Sequence, residues 1–183
     1  SFLPYFFNDI LLPKTGVVLS DVILNQLEPK DWSWIIFGLI YLSVLLTVSF
    51  NYKRPYTILL GIESYITTNL IRMITLYGIT LEPPQDIIPL IDLVITKIAY
   101  GNVVYVKDLF FSGHVSTLFL LFLMEENKTR KAILFISTTI VALLILWQHV
   151  HYTVDVFFAP IFTMSVYYIL RKFHGRQFSN SAA

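Results

Sequence analysis

The chain has 183 residues, 56% of them hydrophobic, 16% aromatic and only 14% charged, with a mean hydropathy of +0.68 and a formal net charge of +1. A composition this apolar excludes an ordinary soluble domain and points to a bilayer, where aromatic side chains form interfacial belts. The near-zero net charge gives no electrostatic case for nucleic acid, and the absence of cysteine removes disulfides, thiol catalysis and cysteine metal sites.

No cleavable signal is visible, and Ser1 in place of an initiator methionine reads as a processed, truncated or engineered start. Residues 1–12 are apolar but short and interrupted by Pro4; they fit the end of a span that begins earlier. A bilayer core takes about 20 apolar residues as helix. The first complete span is predicted from Trp32 to Phe50 and the second from Tyr56 to about Ile79. The stretch Ile87 to Tyr100 is apolar but carries Pro89, Asp92 and Lys97, and it reads as an interfacial or re-entrant helix. The third span is expected from Leu109 to Met124, the fourth from Ala132 to Gln148 and the fifth from His151 to Leu170. Residues 179–183 look like an expression scar and are set aside. With no repeat, low-complexity run or flexible linker, residues 1–178 are expected to form one membrane-embedded domain: an all-α, polytopic transmembrane bundle with five complete spans.

Basic residues orient such a bundle. Five spans put Lys53, Arg54, Lys128, Arg130, Lys131, Arg171, Lys172 and Arg176 on one side and Lys14, Lys30, Lys97 and Lys107 on the other. The eight-to-four split makes the first side cytoplasmic. His114, His149, His151 and Asp155 then fall at the opposite, non-cytoplasmic ends of their spans, as does Arg72 in the last turns of the second. Trp32, Trp34 and Trp147 mark the same interface.

Ionisable groups at the ends of spans point to function. His151 and Asp155 are four apart, so on a helix they share a face and the carboxylate can hold one ring nitrogen, leaving the other as nucleophile or base. In Ser112-Gly113-His114 the glycine lets a backbone approach a ligand, the serine can donate to an oxyanion, and a helix N-terminus here favours an anion. Arg72 offers a guanidinium for phosphate, with snorkelling as its bland alternative, and Tyr77 adds a hydroxyl. Glu63 lies deeper, where it can pair with a polar group on another helix. Thr67, Thr68 and Asn69 read as helix-packing polar groups. No metal and no cofactor are expected: His149 and His151 are two apart, on different helical faces, and no His-Glu-x-x-His pattern occurs. A serine hydrolase fits poorly, because no Gly-x-Ser-x-Gly surrounds Ser112.

Asp108-x-x-x-Ser112-Gly113-His114 and His151-Tyr152-Thr153-Val154-Asp155-Val156 resemble the two signature motifs of the sphingomyelin synthase family, within the type 2 phosphatidic acid phosphatase superfamily. The segment Arg72-Met73-Ile74-Thr75-Leu76-Tyr77 is similar too, and Gly16 to Pro29, with Leu19-Ser20-Asp21, more loosely so. The resemblance implies six spans and a site facing away from the cytosol. It implies that His151 is the nucleophile that forms a phosphohistidine, that Asp155 orients it, and that His114 protonates the leaving oxygen and then deprotonates the acceptor. Lys107, Asp108, Ser112, Gly113, His149 and Tyr152, with Arg72 and Tyr77, are the expected substrate-binding residues.

Two departures matter. The superfamily's Lys-x6-Arg-Pro is absent, since Lys53-Arg54-Pro55 has another spacing and falls on the other side, and Ile145 stands where a second arginine would. A phosphate monoester carries close to two charges and wants several cations, whereas a diester carries one. Few cations therefore favour head-group transfer from a phospholipid donor to a lipid alcohol. Val150, between the two histidines, supplies no anion for a cationic head group. A lipid phosphatase, using Arg72 with Lys107 and water as acceptor, is the alternative. A non-enzymatic scramblase or transporter is the third reading, and membrane lipids are the partners in all three.

Overall fold

Five helices follow the apolar runs, and three of them start on a proline or a polar cap residue. The computed structural model describes residues 5–90, 92 and 106–180, with backbone alone at residue 8 and at 176–180. Its α-helices are α1 (Ser33–Asn51), α2 (Pro55–Gly78), α3 (Gly113–Met124), α4 (Lys128–Trp147) and α5 (Thr153–Asn180). A π-helical turn at Phe6–Leu11 and a 3-10 turn at Leu24–Gln26 precede them. Pro55 occupies the first turn of α2, where its missing N–H costs nothing. Asn127 caps α4 by accepting from the Arg130 N–H at 3.1 Å. Among the described residues the only β feature is an isolated bridge, Val17 to Leu81.

Three helices are long and apolar enough to cross a membrane: α1, α4 and the Thr153–Gly175 part of α5. The chain is thus a multi-pass integral membrane protein. Their outward faces are apolar, with Leu45, Phe135, Leu143 and Phe157 exposed, as lipid contact requires. The expected count of five spans is not reached, for two physical reasons. At 24 residues α2 is long enough, but Glu63, Ser64, Thr68, Asn69 and Arg72 dilute its apolar character. The third span was expected from Leu109 but starts at Gly113, leaving 12 residues, about 18 Å of helix against a core of about 30 Å. Of the expected interfacial helix, residues 87–90 are not helical, and 91 and 93–100 lie outside the described residues.

The short α3 is the centre of the bundle and packs against α1, α2, α4 and α5. It is apolar on every side, with Val115, Leu118, Leu120, Leu121, Leu123 and Met124 all buried, as expected of a helix surrounded by others. At Gly61 of α2 any Cβ would lie 2.4 Å from the Met124 methyl, so this glycine permits the close approach of α2 to α3. One end of the bundle is tied by Glu125, whose buried carboxylate accepts from the Glu126 and Asn127 N–H groups and from the Arg130 guanidinium. Near that end Glu63 has its partner: His174 Nε2 lies 2.6 Å away, joining α2 to α5. At the other end two loops, 12–32 and 79–90, cover the helix ends. Gln148, fully buried, accepts from the Trp32 N–H and donates to Ser33 and the Ile88 carbonyl.

Candidate active site

Beneath those loops, α3 and α5 start side by side. Ser112 caps α3, its hydroxyl oxygen accepting from the Val115 N–H at 3.5 Å, and its own N–H donates to the Asp155 carbonyl at 3.2 Å. This serine is therefore engaged in fixing two helix starts. His114, in the first turn of α3, and His151, just ahead of α5, face each other with ring centroids 6.1 Å apart and planes at 66°. Phe37 of α1 packs edge-on against the His114 ring.

Asp155 lies one turn after His151, and its Oδ2 sits 3.4 Å from His151 Nδ1. The same oxygen accepts from the Tyr152 N–H at 3.0 Å. His151 and Asp155 are both fully buried. Three polar atoms here are buried without a hydrogen-bond partner: His151 Nε2, His114 Nδ1 and Asp155 Oδ1. Buried polar atoms are nearly always paired, so three orphans around one point mark a place built for something other than stability.

Arg72 comes from α2. Its guanidinium donates to the Phe111 carbonyl at 2.5 Å and to Asp108 Oδ1 at 2.6 Å. A Cβ at Gly113 would stand 3.0 Å from its Nη1, so glycine is what lets the guanidinium lie over the start of α3. A small crevice of about 10 Å³, room for about one water molecule, opens beside Arg72 between α2, α3 and α5. Thr68 and Ser116 line it, with hydroxyls buried and unpartnered.

The structure thus gathers Arg72, Asp108, Ser112, Gly113, His114, His151 and Asp155, with Tyr152 taking part through its backbone N–H. It places three other expected residues elsewhere. Lys107 donates to the Leu12 and Lys14 carbonyls and to Glu82 Oε1 at 2.7 Å, so all three of its protons hold loops together. His149 has positive φ, 56°, and both ring nitrogens lie against carbonyl oxygens, Gln85 at 3.2 Å and Leu27 at 3.1 Å. Tyr77 is half exposed with the Lys14 ammonium over its ring. Among the described residues no group of three or more His, Asp or Glu is arranged to hold a metal ion.

Residues 107–172 match the family model described as PAP2 superfamily C-terminal. The matched segment spans α3, α4 and most of α5, and so contains His114, His151 and Asp155. No curated protein matches the chain.

Sequence reasoning gave no role to three residues. Asp21 lay in the Gly16 to Pro29 segment of the looser likeness, Gln148 was one polar position at a span end, and Phe37 one aromatic among many. Gln148 carried a further signal, an uncharged polar group placed between an apolar run and His149.

Proposed function

We propose that the protein transfers a phosphorylated head group from a phospholipid donor to a lipid alcohol, through a phosphohistidine on His151 at the non-cytoplasmic face. The observation that carries this is the pair of rings: His151 held by Asp155 on one nitrogen, unpartnered on the other, and facing His114 at 6.1 Å. A phosphate oxygen can bridge two rings so spaced with ordinary hydrogen bonds of about 2.8 Å.

In the first step His151 Nε2 attacks phosphorus, a P–N bond forms, the P–O bond to the donor's lipid alcohol breaks, and His114 delivers a proton to that oxygen. In the second, His114 takes the proton of the acceptor hydroxyl, whose oxygen attacks phosphorus while the P–N bond breaks and restores His151. Asp155 stabilises the positive charge on the ring. Transfer is favoured over hydrolysis of a monoester by the cations. Lys107 is occupied by Glu82 and two carbonyls, and Arg72 is already offset by Asp108. A singly charged diester suits that balance better than a dianion.

The test is purified protein in vesicles of a phospholipid labelled in its phosphate, with and without diacylglycerol or ceramide. Label is expected on a new phospholipid, and alkaline quenching is expected to trap it on the peptide containing His151. His151→Ala is expected to give neither. Label appearing only as a free phosphorylated head group or inorganic phosphate would favour hydrolysis. Turnover by a monodisperse His151→Ala protein would overturn the mechanism.

A further inference from the structure

Helix α5 carries the Asp155 that holds His151, yet its own sequence does not cap it. Tyr152, the residue ahead of its first turn, has a phenol that points away: its oxygen donates to the Glu82 carbonyl at 3.0 Å and accepts from the Leu19 N–H at 3.3 Å. The carboxylate three residues on, Asp155, reaches back to the Tyr152 N–H in the manner of a capping box, and it holds the His151 ring with the same oxygen. The cap comes from 132 residues away. Asp21 Oδ2 accepts from the Thr153 N–H at 2.6 Å, and Asp21 Oδ1 accepts from the Thr153 hydroxyl at 2.9 Å. Asp21 is itself fixed, because Oδ1 also accepts from the Ile23 and Leu24 N–H groups, at 3.0 and 3.3 Å, and Leu24 is buried in the main core. Burial works against its charge, but the donors on Thr153, Leu24 and Ile23 outweigh it and keep the carboxyl below the usual range. A carboxylate there also meets the positive end of the α5 dipole.

We propose that Asp21 is a positioning residue for the His151–Asp155 pair: it caps α5 from a distant loop and so fixes the first turn from which Asp155 reaches the nucleophile. This rests on the reading of function above. Asp21 touches neither histidine; it acts through Thr153, two residues from each member of the pair. Misplacing a reacting group by an ångström costs on the order of a hundredfold in rate, so the effect belongs in turnover rather than in substrate binding.

The experiment compares wild type, Asp21→Asn and Asp31→Asn as full-length purified protein in the vesicle assay. Asp31 is the control: it accepts from the Ser33 N–H at 2.9 Å and serves α1, which carries neither member of the pair. Asp21→Asn keeps the shape of the side chain but can accept through one oxygen only. Its kcat per folded molecule is expected to fall between about ten- and a hundredfold with KM within a factor of about two, and amide exchange at 152–156 is expected to quicken. Asp31→Asn is expected to lower the melting temperature and leave kcat alone. Unchanged kcat in Asp21→Asn with faster exchange would leave Asp21 a stabilising cap and overturn the assignment, as would unchanged exchange. A wild-type protein inert towards both acceptors and water would instead overturn the reading of function, and this assignment with it.

Discussion

Asp155 uses one oxygen for two partners, the His151 ring and the Tyr152 N–H. Asp155→Asn can keep only one acceptor oxygen, and the stronger donor geometry is the N–H at 3.0 Å. The amide then turns its NH2 to the ring, which selects the wrong tautomer and removes the charge that steadies an imidazolium. Turnover is expected to fall by several orders of magnitude, as the comparable triad change costs about four. Melting temperature and rate on one preparation decide it: a lowered melting temperature with normal turnover per folded molecule would make Asp155 an anchor only. The pair was legible in the sequence because a spacing of four is one helical turn. The roles of Lys107 and His149 were not, because their partners are backbone carbonyls 64 to 122 residues away or a loop carboxylate, and carbonyls leave no trace in a side-chain pattern.

At the scale of elements, Gln148 joins the end of α4 to the start of α1 and to the 79–90 loop. Gln148→Leu removes one side chain and takes a partner from three groups: the buried Ser33 hydroxyl and the part-buried Trp32 N–H and Ile88 carbonyl. A buried orphan costs about 1–3 kcal/mol and the part-buried groups add less, so the loss is expected to be about 1–3 kcal/mol. Reversible unfolding in mixed micelles measures it, and a change under about 1 kcal/mol would contradict the packing described. Helix existence was readable from apolar runs, and α1, α2 and α4 lie close to their expected ranges. The start of α3 was not. Leu109, Phe110 and Phe111 are as apolar as the helix they precede, yet they pack as buried irregular chain, and hydropathy does not distinguish the two. The polar face of α2 is the converse: Ser64, Thr68 and Arg72, at intervals of four, turn inward, so a helix that looks too polar hides its polarity.

Over the whole molecule, the cover above the histidines is held by charged loop contacts. The Lys107 ammonium, followed by the Gly16 N–H, holds the Glu82 carboxyl below its ordinary 4.5, and hydrogen bonds hold Asp21 below 3.8 against the opposing effect of burial. Carboxyls lowered in the folded state contribute stability that is present above the ordinary values and lost as pH falls through the folded ones. The melting temperature is therefore expected to be level from neutrality down to the ordinary carboxylate range and to drop below it, with a smaller drop in Glu82→Gln. A profile still level at about pH 3, below the unperturbed Asp value, would show that these loops do not carry the stability assigned to them. None of this cover was visible in the sequence beyond a loose likeness at Gly16 to Pro29, because loops brought together by folding carry no periodicity.

On the mechanism proposed above, the complete burial of His151 sets a clock on turnover. A ring that meets no solvent would receive a phosphoryl group only after the chain around it parts, which would separate encounter and reaction by an internal step. A tight mimic of five-coordinate phosphorus, such as vanadate, is then expected to inhibit with a lag, its progress curves bending over time at a rate that levels off as inhibitor is raised. Inhibition complete on mixing would mean that the nitrogen is reachable without any such step.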